Sequence, residues 1–541
     1  MIICHLVAIR VVADLLCCIA FVHKSECKVN TAMQLRRSSL WAVLGTVAGL
    51  VLPGCAVSPA PLTETELSAR AADHLGRVTA VQEPVVGAID LYEAMARALK
   101  YNLDHRVEVM DAALRSHELN LAHYGLLPNV VVNSGYAARD NFAASSSYNV
   151  LTNTQNFGAS TSQEKNISTA DVAFSWNILD FGLSYVRARQ SADKYLIAQE
   201  TGRKVMHRVI EDVRTAYWRA ISGERLLVKL RELEGRVKRA QASAKSIAAE
   251  RSTSPITAVT YERELVEIRR TIQELERDLV VAKSQLAALM NLGPGTKFAL
   301  VAPRRYAGLT LDQPVKDMIW IAMTNRAELK DVWYKKRINE HELDAAFLEL
   351  LPGIQTYAST NFDSNEFLYN SNWLSWGAKA SWNLLKVVQY PARREVINSQ
   401  DDLLDSRALA LTMAVMTQVH VSRVRFFHVQ KELRTATEFL GVQSRLVGLM
   451  RDEAKADRIS EQTLIREEMN TLVAEVKRDI AHASVQNAFA NVYASMGLDP
   501  YAADLPLDSD VQSLASALRK IWLERGDYGA GHVRRVADVR H

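Results

Sequence analysis

The most reactive side chains of this sequence are five cysteines, and all of them lie near its N-terminus. They are Cys4, Cys17, Cys18, Cys27 and Cys55, and no cysteine follows Cys55 in the 541-residue chain. A cysteine can act as a nucleophile, bind a metal ion or form half of a disulfide. Because the long remainder of the chain has none, the sequence excludes a disulfide framework and a Cys-ligated metal site from the main body.

Other spacings that carry chemistry are not found in the sequence. It has no Walker lysine loop, no HExxH and no GxSxG, and its 13 histidines are scattered without metal-ligand spacing. The sequence therefore predicts neither an enzyme nor a bound cofactor or metal ion. The net charge of +4 results from 65 basic and 61 acidic residues without a dense basic run, so nucleic acid is not an expected partner.

Cys55 ends a segment that has the parts of an export signal. Arg36 and Arg37 supply positive charge, and a 13-residue apolar run, Leu40–Leu52, follows them. A run of this length suits a signal peptide and is too short to span a bilayer as a helix. We therefore interpret residues 33–54 as a signal peptide.

The end of this segment, Leu52-Pro53-Gly54-Cys55, resembles the lipobox of bacterial lipoproteins. In those proteins signal peptidase cuts before the cysteine, and the cysteine thiol is lipidated. The resemblance implies a palmitate-bearing lipoprotein attached to the membrane through Cys55. Ala56, in place of an aspartate, implies sorting to the outer membrane. The alternative is an ordinary signal peptide in which the cysteine has no role.

Residues 1–32 have a different character from the rest of the chain. They contain four of the cysteines and an apolar stretch that Arg10 and Asp14 interrupt. Our hypothesis is that Met33 is the true start and that residues 1–32 are an upstream misreading. The alternative is a genuine inner-membrane anchor in front of the signal segment.

The main body of the chain is a duplication, because three ordered landmarks occur twice. Leu127-Pro128 recurs as Leu351-Pro352, Ser175-Trp176-Asn177 as Ser381-Trp382-Asn383, and MNLGP from Met290 as MGLDP from Met496. The interval between the first two landmarks is 18 residues longer in the first copy, and the last interval is equal in both. We divide the chain into an N-terminal segment 55–87, repeat 1 over 88–291, a linker 292–314, repeat 2 over 315–500, and a C-terminal segment with a flexible tail, 501–541.

Long helices are predicted by the scarcity of breakers and by the spacing of apolar residues. The chain has only 23 glycines and 13 prolines, and two runs show the heptad spacing of a coiled coil. The runs are Leu226, Leu230, Leu233, Val237, Ala240, Ala244 and Ile247, and then Leu265, Ile268, Ile272, Leu275, Leu279, Ala282, Leu286 and Leu289. A turn at Ser252–Pro255 makes them an antiparallel hairpin, and repeat 2 is expected to turn near Asp457 to Glu461.

Strand pairs are predicted within 129–178 and 353–383, because apolar and polar residues alternate there with period two. A polar loop, about 141–166, separates the first pair. We expect one face to contact lipid and the other, with Ser375, Gly377 and Lys379, to line a lumen. The residues predicted to face lipid are Val172, Phe174, Trp176, Leu374, Trp376 and Trp382.

Four strands cannot close a barrel, since the smallest membrane barrels have eight. Open sheet edges cannot lie in lipid either, because unpaired backbone groups there cost several kcal/mol each. The strands must therefore be completed by other chains. A barrel built from several subunits and continued by coiled coils forms a tunnel.

The chain resembles the TolC family of outer-membrane efflux proteins over about 88–500. The resemblance rests on the duplicated unit, on the SWNILDFG stretch at Ser175–Gly182 and on the MNLGP and MGLDP ends. The resemblance implies a mainly α fold with a small β part. Duplicated long coiled-coil helical hairpins and two β-hairpins would form an α-barrel tunnel and a transmembrane β-barrel of twelve strands in a homotrimer. It further implies an outer-membrane exit duct of a tripartite efflux system, supplied by a periplasmic adaptor protein and an inner-membrane transporter.

Other functions stay open at this point. A duct of a type I protein secretion system has the same architecture. A periplasmic adaptor also has long coiled-coil hairpins, but it lacks duplicated strand pairs. A lipid-anchored hydrolase would need a nucleophile constellation, which the sequence does not show.

The family closes its periplasmic tip with aspartates and ionic links beside the helical turns. The usual aspartate places hold Ala258, Gln462 and Ile465 in this sequence. The charged residues nearby are the gate candidates: Glu250, Arg251, Asp457, Arg458 and Glu461. The alternative is that these are solvated turn residues and that apolar packing of Ile256, Ile459 and Leu464 closes the tip.

Overall fold

The computed structural model describes residues 59–80, 82–249, 255–301, 309, 311, 313–456, 458–501 and 509–538. Cys55, the predicted signal peptide and residues 1–32 lie outside the described residues, as do Glu250, Arg251 and Asp457. The chain divides into two compact units, one ending at Gly76 and the other beginning at Arg77.

The first unit contains all but the last residue of helix α1, Glu64–Arg77. Thr63 and Glu66 form a reciprocal cap at its start: the Thr63 N–H donates to Glu66 Oε2 at 2.9 Å, and the Glu66 N–H donates to Thr63 Oγ1 at 3.3 Å. The Thr63 N–H and the Thr63 hydroxyl both donate to Glu66 Oε2, and these two bonds lower the pKa of the Glu66 carboxyl. None of the side chains of α1 is buried.

The second unit contains the duplication, and the helices of the two copies match in length. Each copy contributes helices of 11, 22, 72 and 35 residues. They are α2 Leu91–Tyr101, α3 Leu103–Tyr124, α4 Ile178–Ala249 and α5 Pro255–Leu289 in repeat 1, and α6 Val315–Asn325, α7 Ala327–Leu348, α8 Leu384–Lys455 and α9 Glu461–Ser495 in repeat 2. At 1.5 Å per residue, the longest helix of each copy extends ~108 Å.

The first helical stretch of each copy is broken once. The break falls at Asn102 and at Arg326, whose ψ angles of 127° are extended rather than helical. Asn102 caps α3 by accepting the N–H of His105, and its amide donates to the Leu289 carbonyl. Arg326 reaches the corresponding helix of repeat 2, because its guanidinium donates to the Ala494 carbonyl at 3.2 Å. Each break therefore fastens the end of the 35-residue helix of its own copy.

The 35-residue helices end in the same left-handed turn. Asn291 has a φ of +58° and Gly497 a φ of +70°. The residues after them, Leu292 and Leu498, donate their N–H groups to the carbonyls five residues back at 2.8 and 3.1 Å. This is the Schellman arrangement, which satisfies carbonyls at a helix C-terminus. The repeated MNLGP and MGLDP landmarks thus encode a helix stop.

Among the residues that the structure describes, the strands form one four-stranded sheet and two smaller pairs. They are β1 Ala88–Ile89, β2 Asn129–Ala138, β3 Ala144–Asn149, β4 Thr154–Thr161, β5 Asn166–Asn177, β6 Ala299–Leu300, β7 Gly353–Asp363 and β8 Asn372–Ser381. The large sheet has the order β2-β5-β7-β8 and is antiparallel throughout. The predicted hairpins of the two copies are therefore joined through β5 and β7 into one sheet. The fold-class prediction of a mainly helical chain with duplicated long hairpins and paired strands is confirmed.

One segment differs from the expectation. The predicted polar loop of about 141–166 contains the antiparallel pair β3–β4, which forms its own two-stranded sheet. Its strands consist mostly of serine, threonine and asparagine, so they lack the apolar alternation that identified the other strands. The two-residue strands β1 and β6 pair in parallel.

The predicted coiled-coil seam is confirmed where side chains are described. Leu226, Leu230, Leu233 and Val237 of α4 are buried against Leu265, Ile272 and Leu279 of α5. Ala244 and Ile247 lie outside the described side chains. Repeat 2 adds to the same cluster through Ile465, Met469, Leu472 and Val476 of α9. The seam therefore belongs to both copies rather than to one hairpin.

A second cluster lies where the short and long helices of both copies meet. It includes Met95, Val213, Met318, Phe426 and Phe489. Helix α10, Val511–Asp538, packs into this cluster with buried residues Val511, Leu514, Leu518 and Trp522. The predicted C-terminal segment 501–541 thus contains a helix whose N-terminal part is docked, and the flexible tail predicted within this segment stays a prediction. Of the described helices, none combines the length and the apolar composition needed to cross a membrane.

Candidate functional site

The first candidate site is the apolar face of the four-stranded sheet. In all three ladders an even-numbered residue pairs with an even-numbered residue, and an odd-numbered residue with an odd-numbered one. The even-numbered residues of all four strands therefore share one face. This face, named the even face below, includes five of the six residues predicted to contact lipid: Val172, Phe174, Trp176, Leu374 and Trp376. All five are exposed, and Trp376 is 79% exposed. Within the four described strands, the even face carries no charged residue.

The opposite, odd-numbered face is polar and holds the charges of the sheet. They are Asp171, Asp363 and Lys379. Asn133 donates to Asp171 across the β2–β5 ladder at 2.9 Å. On the neighbouring ladder, the Ser375 hydroxyl lies 2.7 Å from that of Ser359 and accepts from the Asn361 amide at 2.9 Å. This odd face is suited to contact with water.

Trp382, the sixth predicted residue, lies just after β8 rather than within the ladder. Its indole N–H donates to the Leu350 carbonyl at 2.8 Å. Trp176 occupies the matching end of β5, where its ring meets Phe181 edge-on at 5.7 Å. Tryptophan prefers boundaries between apolar and wet surroundings. Both rings lie where strands join the 72-residue helices.

The second candidate site is the far end of the long helices, where two of the five gate candidates are described. Arg458 is exposed, and its Nη1 lies 3.8 Å from Glu453 Oε1. The Arg458 N–H donates to the Glu453 carbonyl at 3.0 Å. Glu461 is the first residue of α9, which Ser460 caps by accepting the Thr463 N–H. The structure thus pairs Arg458 with Glu453, which the sequence analysis did not single out, rather than with Glu461.

The apolar residues near this end differ in exposure. Ile256 is 80% exposed, whereas Leu464 is buried at 9%. Gln462, at one of the usual aspartate places, donates to Glu264 Oε2 of α5 at 2.7 Å. This bond and the Arg466–Glu264 pair at 3.5 Å join α9 to α5 close to the turns.

A row of ion pairs between the copies was missed by the sequence analysis. Arg225, Lys229 and Arg236 of α4 face Asp479, Glu475 and Glu468 of α9. The Lys229–Glu475 contact is 2.7 Å, and Arg451 of α8 adds a 2.9 Å contact to Glu468. The basic residues are four and seven residues apart along α4, and the acidic residues have the same spacing in the reverse direction along α9. The matching spacing is therefore present in the sequence. It becomes readable only when the register of α4 against α9 is known.

A second missed group centres on Asp499 of the MGLDP landmark. Arg203 Nε lies 3.2 Å from both carboxylate oxygens, and His207 Nε2 lies 2.9 Å from one of them. Burial alone would raise the pKa of Asp499, but the His207 hydrogen bond and the Arg203 charge outweigh burial and hold this pKa below its ordinary value. The Asp499 carbonyl also accepts from Arg525 of α10. Asp499 therefore holds α4, the end of α9 and α10 together.

The part of the chain that the structure describes contains no preformed metal site. No group of three or more His, Cys, Asp or Glu side chains there is placed to hold a metal ion.

Comparison with known proteins gives matches by structure and none by sequence. No protein-family model and no curated protein matches the sequence. The Campylobacter jejuni CmeC outer membrane channel is 12% identical, with 86% of this chain and 97% of that chain covered at a TM-score of 0.61. The open state of the Neisseria gonorrhoeae MtrE outer membrane channel is 14% identical, covering 76% and 89% at 0.56. The Vibrio cholerae outer membrane protein VceC is 8% identical, covering 75% and 96% at 0.56.

Proposed function

We propose that this chain, which has the fold of the TolC-type outer-membrane channels, is the exit duct of a tripartite efflux system in a bacterial outer membrane. In this proposal a homotrimer conducts substrates passively from an inner-membrane transporter and a periplasmic adaptor protein to the outside. The duct itself performs no catalysis, and the energy comes from the inner-membrane partner.

The observation that carries the proposal is the asymmetry of the four-stranded sheet. Its strands of 10 to 12 residues match the ~9–11 residues that a tilted strand needs to cross a bilayer. Every charge of the sheet lies on the odd face, and the exposed aromatic and aliphatic side chains of the even face include Phe174, Leu374 and Trp376. A sheet with one dry and one wet face suits a barrel wall between lipid and an aqueous lumen.

The sheet edges support an assembly of several copies. Within the described residues, β2 and β8 each pair with another strand on one side only. Because all neighbours are antiparallel, β8 of one copy and β2 of the next also run in opposite directions. Joining copies head to tail therefore continues the same ladder, and three copies give the twelve strands that the resemblance implies.

The experiment that tests the duct combines mass and conductance. The protein extracted in detergent should have the mass of three chains, and it should open ion-conducting pores in planar bilayers. A monomer without conductance would overturn the proposal.

Efflux and type I protein secretion predict different losses in a strain that lacks the gene. Under the efflux proposal, the strain accumulates a fluorescent small-molecule pump substrate and still exports its proteins. Loss of a secreted protein with unchanged dye accumulation would favour the secretion duct. The lipobox-like segment at Leu52–Cys55 supports efflux, because a lipid-anchored duct resembles the ducts of efflux systems more than those of secretion systems.

Replacement of the predicted lipid attachment residue tests the anchor. Cys55→Ala should abolish labelling of the protein with radioactive palmitate, because the thiol that accepts the lipid is gone. Conductance in bilayers should persist, since a single lipid anchor adds little to a barrel already in the membrane. Unchanged palmitate incorporation in the variant would show that Cys55 is not the attachment site.

The described part of the predicted gate also gives a test. The Arg458 side chain is 71% exposed, and its contact with the Glu453 carboxylate is long, at 3.8 Å. Such an exposed pair contributes only ~0–1 kcal/mol, so Arg458 is available for carboxylates of a neighbouring copy. Arg458→Ala should therefore raise single-channel conductance and antibiotic entry in cells without a pump.

Lys455→Ala is the matched control for Arg458→Ala. Lys455 lies nearby, pairs with Asp452 at 2.9 Å within the same helix, and is similarly exposed. Its removal should leave conductance unchanged. Wild-type conductance in the Arg458 variant would remove Arg458 from the gate and favour apolar closure around Ile256, Ile459 and Leu464.

A further inference from the structure

The hairpin β3–β4 is an exposed element with unusual chemistry for this chain. No Lys, Arg, Asp, Glu or His occurs from Asn141 to Gln163, although charged residues make up 23% of the whole sequence. The large side chains of the hairpin point into solvent: Phe157 is 84% exposed and Leu151 is 96% exposed. Tyr148 and Val150 are exposed as well.

In the described structure the two strands of this hairpin form a sheet by themselves. An isolated two-stranded hairpin is marginally stable at best in water. Proteins usually protect open strand edges with charged residues or proline, and this segment has neither. The hairpin therefore has the properties of an element that another surface covers.

The base of the hairpin is fixed by repeat 2. Asn365, in the turn between β7 and β8, is only 5% exposed. Its amide donates to the Ser162 carbonyl at 2.9 Å, and its side-chain oxygen accepts the Glu164 N–H at 3.1 Å. The turn between β7 and β8 thus lies beside the hairpin of its own chain and holds the base in place.

The tip of the same turn carries apolar side chains that its own hairpin does not cover. Tyr369 is 100% exposed, Phe367 is 55% exposed and Leu368 is 40% exposed. Three consecutive large side chains on a turn are costly to leave in water, and an aromatic pair contributes ~0.5–1.5 kcal/mol beyond its buried area.

The strand order decides what lies beside this tip in an assembly. The hairpin is carried by β2 and β5, and the turn by β7 and β8. If β8 pairs with β2 of the next copy, the β7–β8 turn lies between the hairpin of its own chain and that of the next copy. This step rests on the proposed function, because it takes the closed multi-chain barrel as its premise.

We propose that the Phe367–Tyr369 tip of one copy packs against Phe157 and Tyr148 on the β3–β4 hairpin of the next copy, so that neighbouring chains interlock at the end of the sheet away from the helices. The partner is thus a second copy of this chain. An uncharged hairpin suits this contact, since it can pack against apolar side chains without the cost of burying an unpaired charge. The 18 additional residues of repeat 1 are then the part that reaches across to the neighbour.

A pair of cysteines tests the contact between chains. In the double variant Phe157→Cys and Tyr369→Cys, oxidation should convert the bulk of the protein to covalently linked trimers that survive SDS. Each single variant contains the same native cysteines and should stay monomeric in SDS. The pair Phe157→Cys and Val266→Cys is the matched control, because Val266 is also exposed but lies on α5.

The outcomes separate the interlock from the duct. Native trimers that conduct ions but give no covalent trimer overturn the interlock and leave the duct proposal intact. A link within one chain, seen as a monomer without free engineered thiols, overturns the interlock as well. Absence of any native trimer overturns both proposals.

Alanine variants give a second measurement that does not depend on disulfide geometry. Phe157→Ala and Tyr369→Ala should each lower the temperature at which the trimer dissociates in detergent. The double variant should lower it little further, because either change already removes the shared contact. Fully additive shifts would contradict packing between these two side chains.

Discussion

Replacement of Gly497 by alanine is expected to lower the free energy of unfolding of the helical body by roughly 2–5 kcal/mol. Gly497 ends α9 with a φ of +70°, a conformation that costs an alanine ~1–2 kcal/mol. A Cβ at this position would also lie 2.7 Å from the Asn325 carbonyl carbon and 2.8 Å from the Arg326 nitrogen. These are backbone atoms at the α6–α7 break, so they cannot rotate away, and overpacking of this kind costs ~1–3 kcal/mol.

Two control variants separate the terms of this prediction. Gly295 has a φ of +84°, and a Cβ added there would meet nothing within 4 Å, so Gly295→Ala tests the backbone term alone. Asn291 occupies the equivalent position of repeat 1, and Asn291→Gly should change stability by about 1 kcal/mol or less, since it mainly removes one hydrogen bond to Val78. Thermal unfolding of the detergent-extracted protein measures all three. Equal shifts for Gly497→Ala and Gly295→Ala would show that the contact with the α6–α7 break does not matter.

Arginine at Trp376 is expected to block assembly in the membrane. Trp376 lies at the middle of β8 on the even face, with Ala358 and then Phe174 beside it in the neighbouring strands. Arginine at the midplane of the lipid face costs ~2–4 kcal/mol per chain, and a homotrimer incurs this cost three times. The amount of trimer in outer-membrane fractions, measured by native electrophoresis in mild detergent, should fall strongly for Trp376→Arg.

The control for this variant places the same residue on the odd face. Ser375 is the neighbour in sequence, but its hydroxyl belongs to the cluster with Ser359 and Asn361, so arginine there also removes hydrogen bonds. Ser175 is a better control because it follows Phe174 on β5 and has the opposite parity. Ser175→Arg should assemble as the natural protein does, since water solvates the charge. If both arginine variants assemble equally well, the assignment of the even face to lipid is wrong.

Features that repeat with a fixed period could be predicted from the sequence. Leu226 and Leu230 at heptad positions are buried, and the alternation in β5 and β8 places Phe174 and Trp376 on one face. Both patterns are readable because the helix and the strand each repeat with a fixed period. The sixth residue, Trp382, falls outside the ladder, since a period does not mark where a strand ends.

Features that depend on contacts between distant segments could not be predicted. The break at Arg326 has neither proline nor glycine, and it is stabilised by the Ala494 carbonyl of another helix. The Arg236–Glu468 pair can be predicted only if the alignment of α4 along α9 is known. The heptad pattern does not give this alignment, because it is equally satisfied when one helix is shifted by a whole heptad. The hairpin β3–β4 lacks an apolar face, so no alternation revealed it. Of the gate, the structure describes Arg458 and Glu461, and the role of both stays a prediction.

The equal lengths of corresponding helices constrain how such a chain can evolve. An insertion of one residue within α4 would turn every later side chain by about 100° and remove it from the seam shared with α5 and α9. The contacts are preserved only if a whole heptad is added to all four long helices at once. A single mutational event does not insert residues in four helices together. Changes of length are therefore tolerated almost only in the segments between strands. The 18 residues by which the copies differ lie in such a segment, so new surface properties in this lineage should arise there while the helical part keeps a fixed dimension.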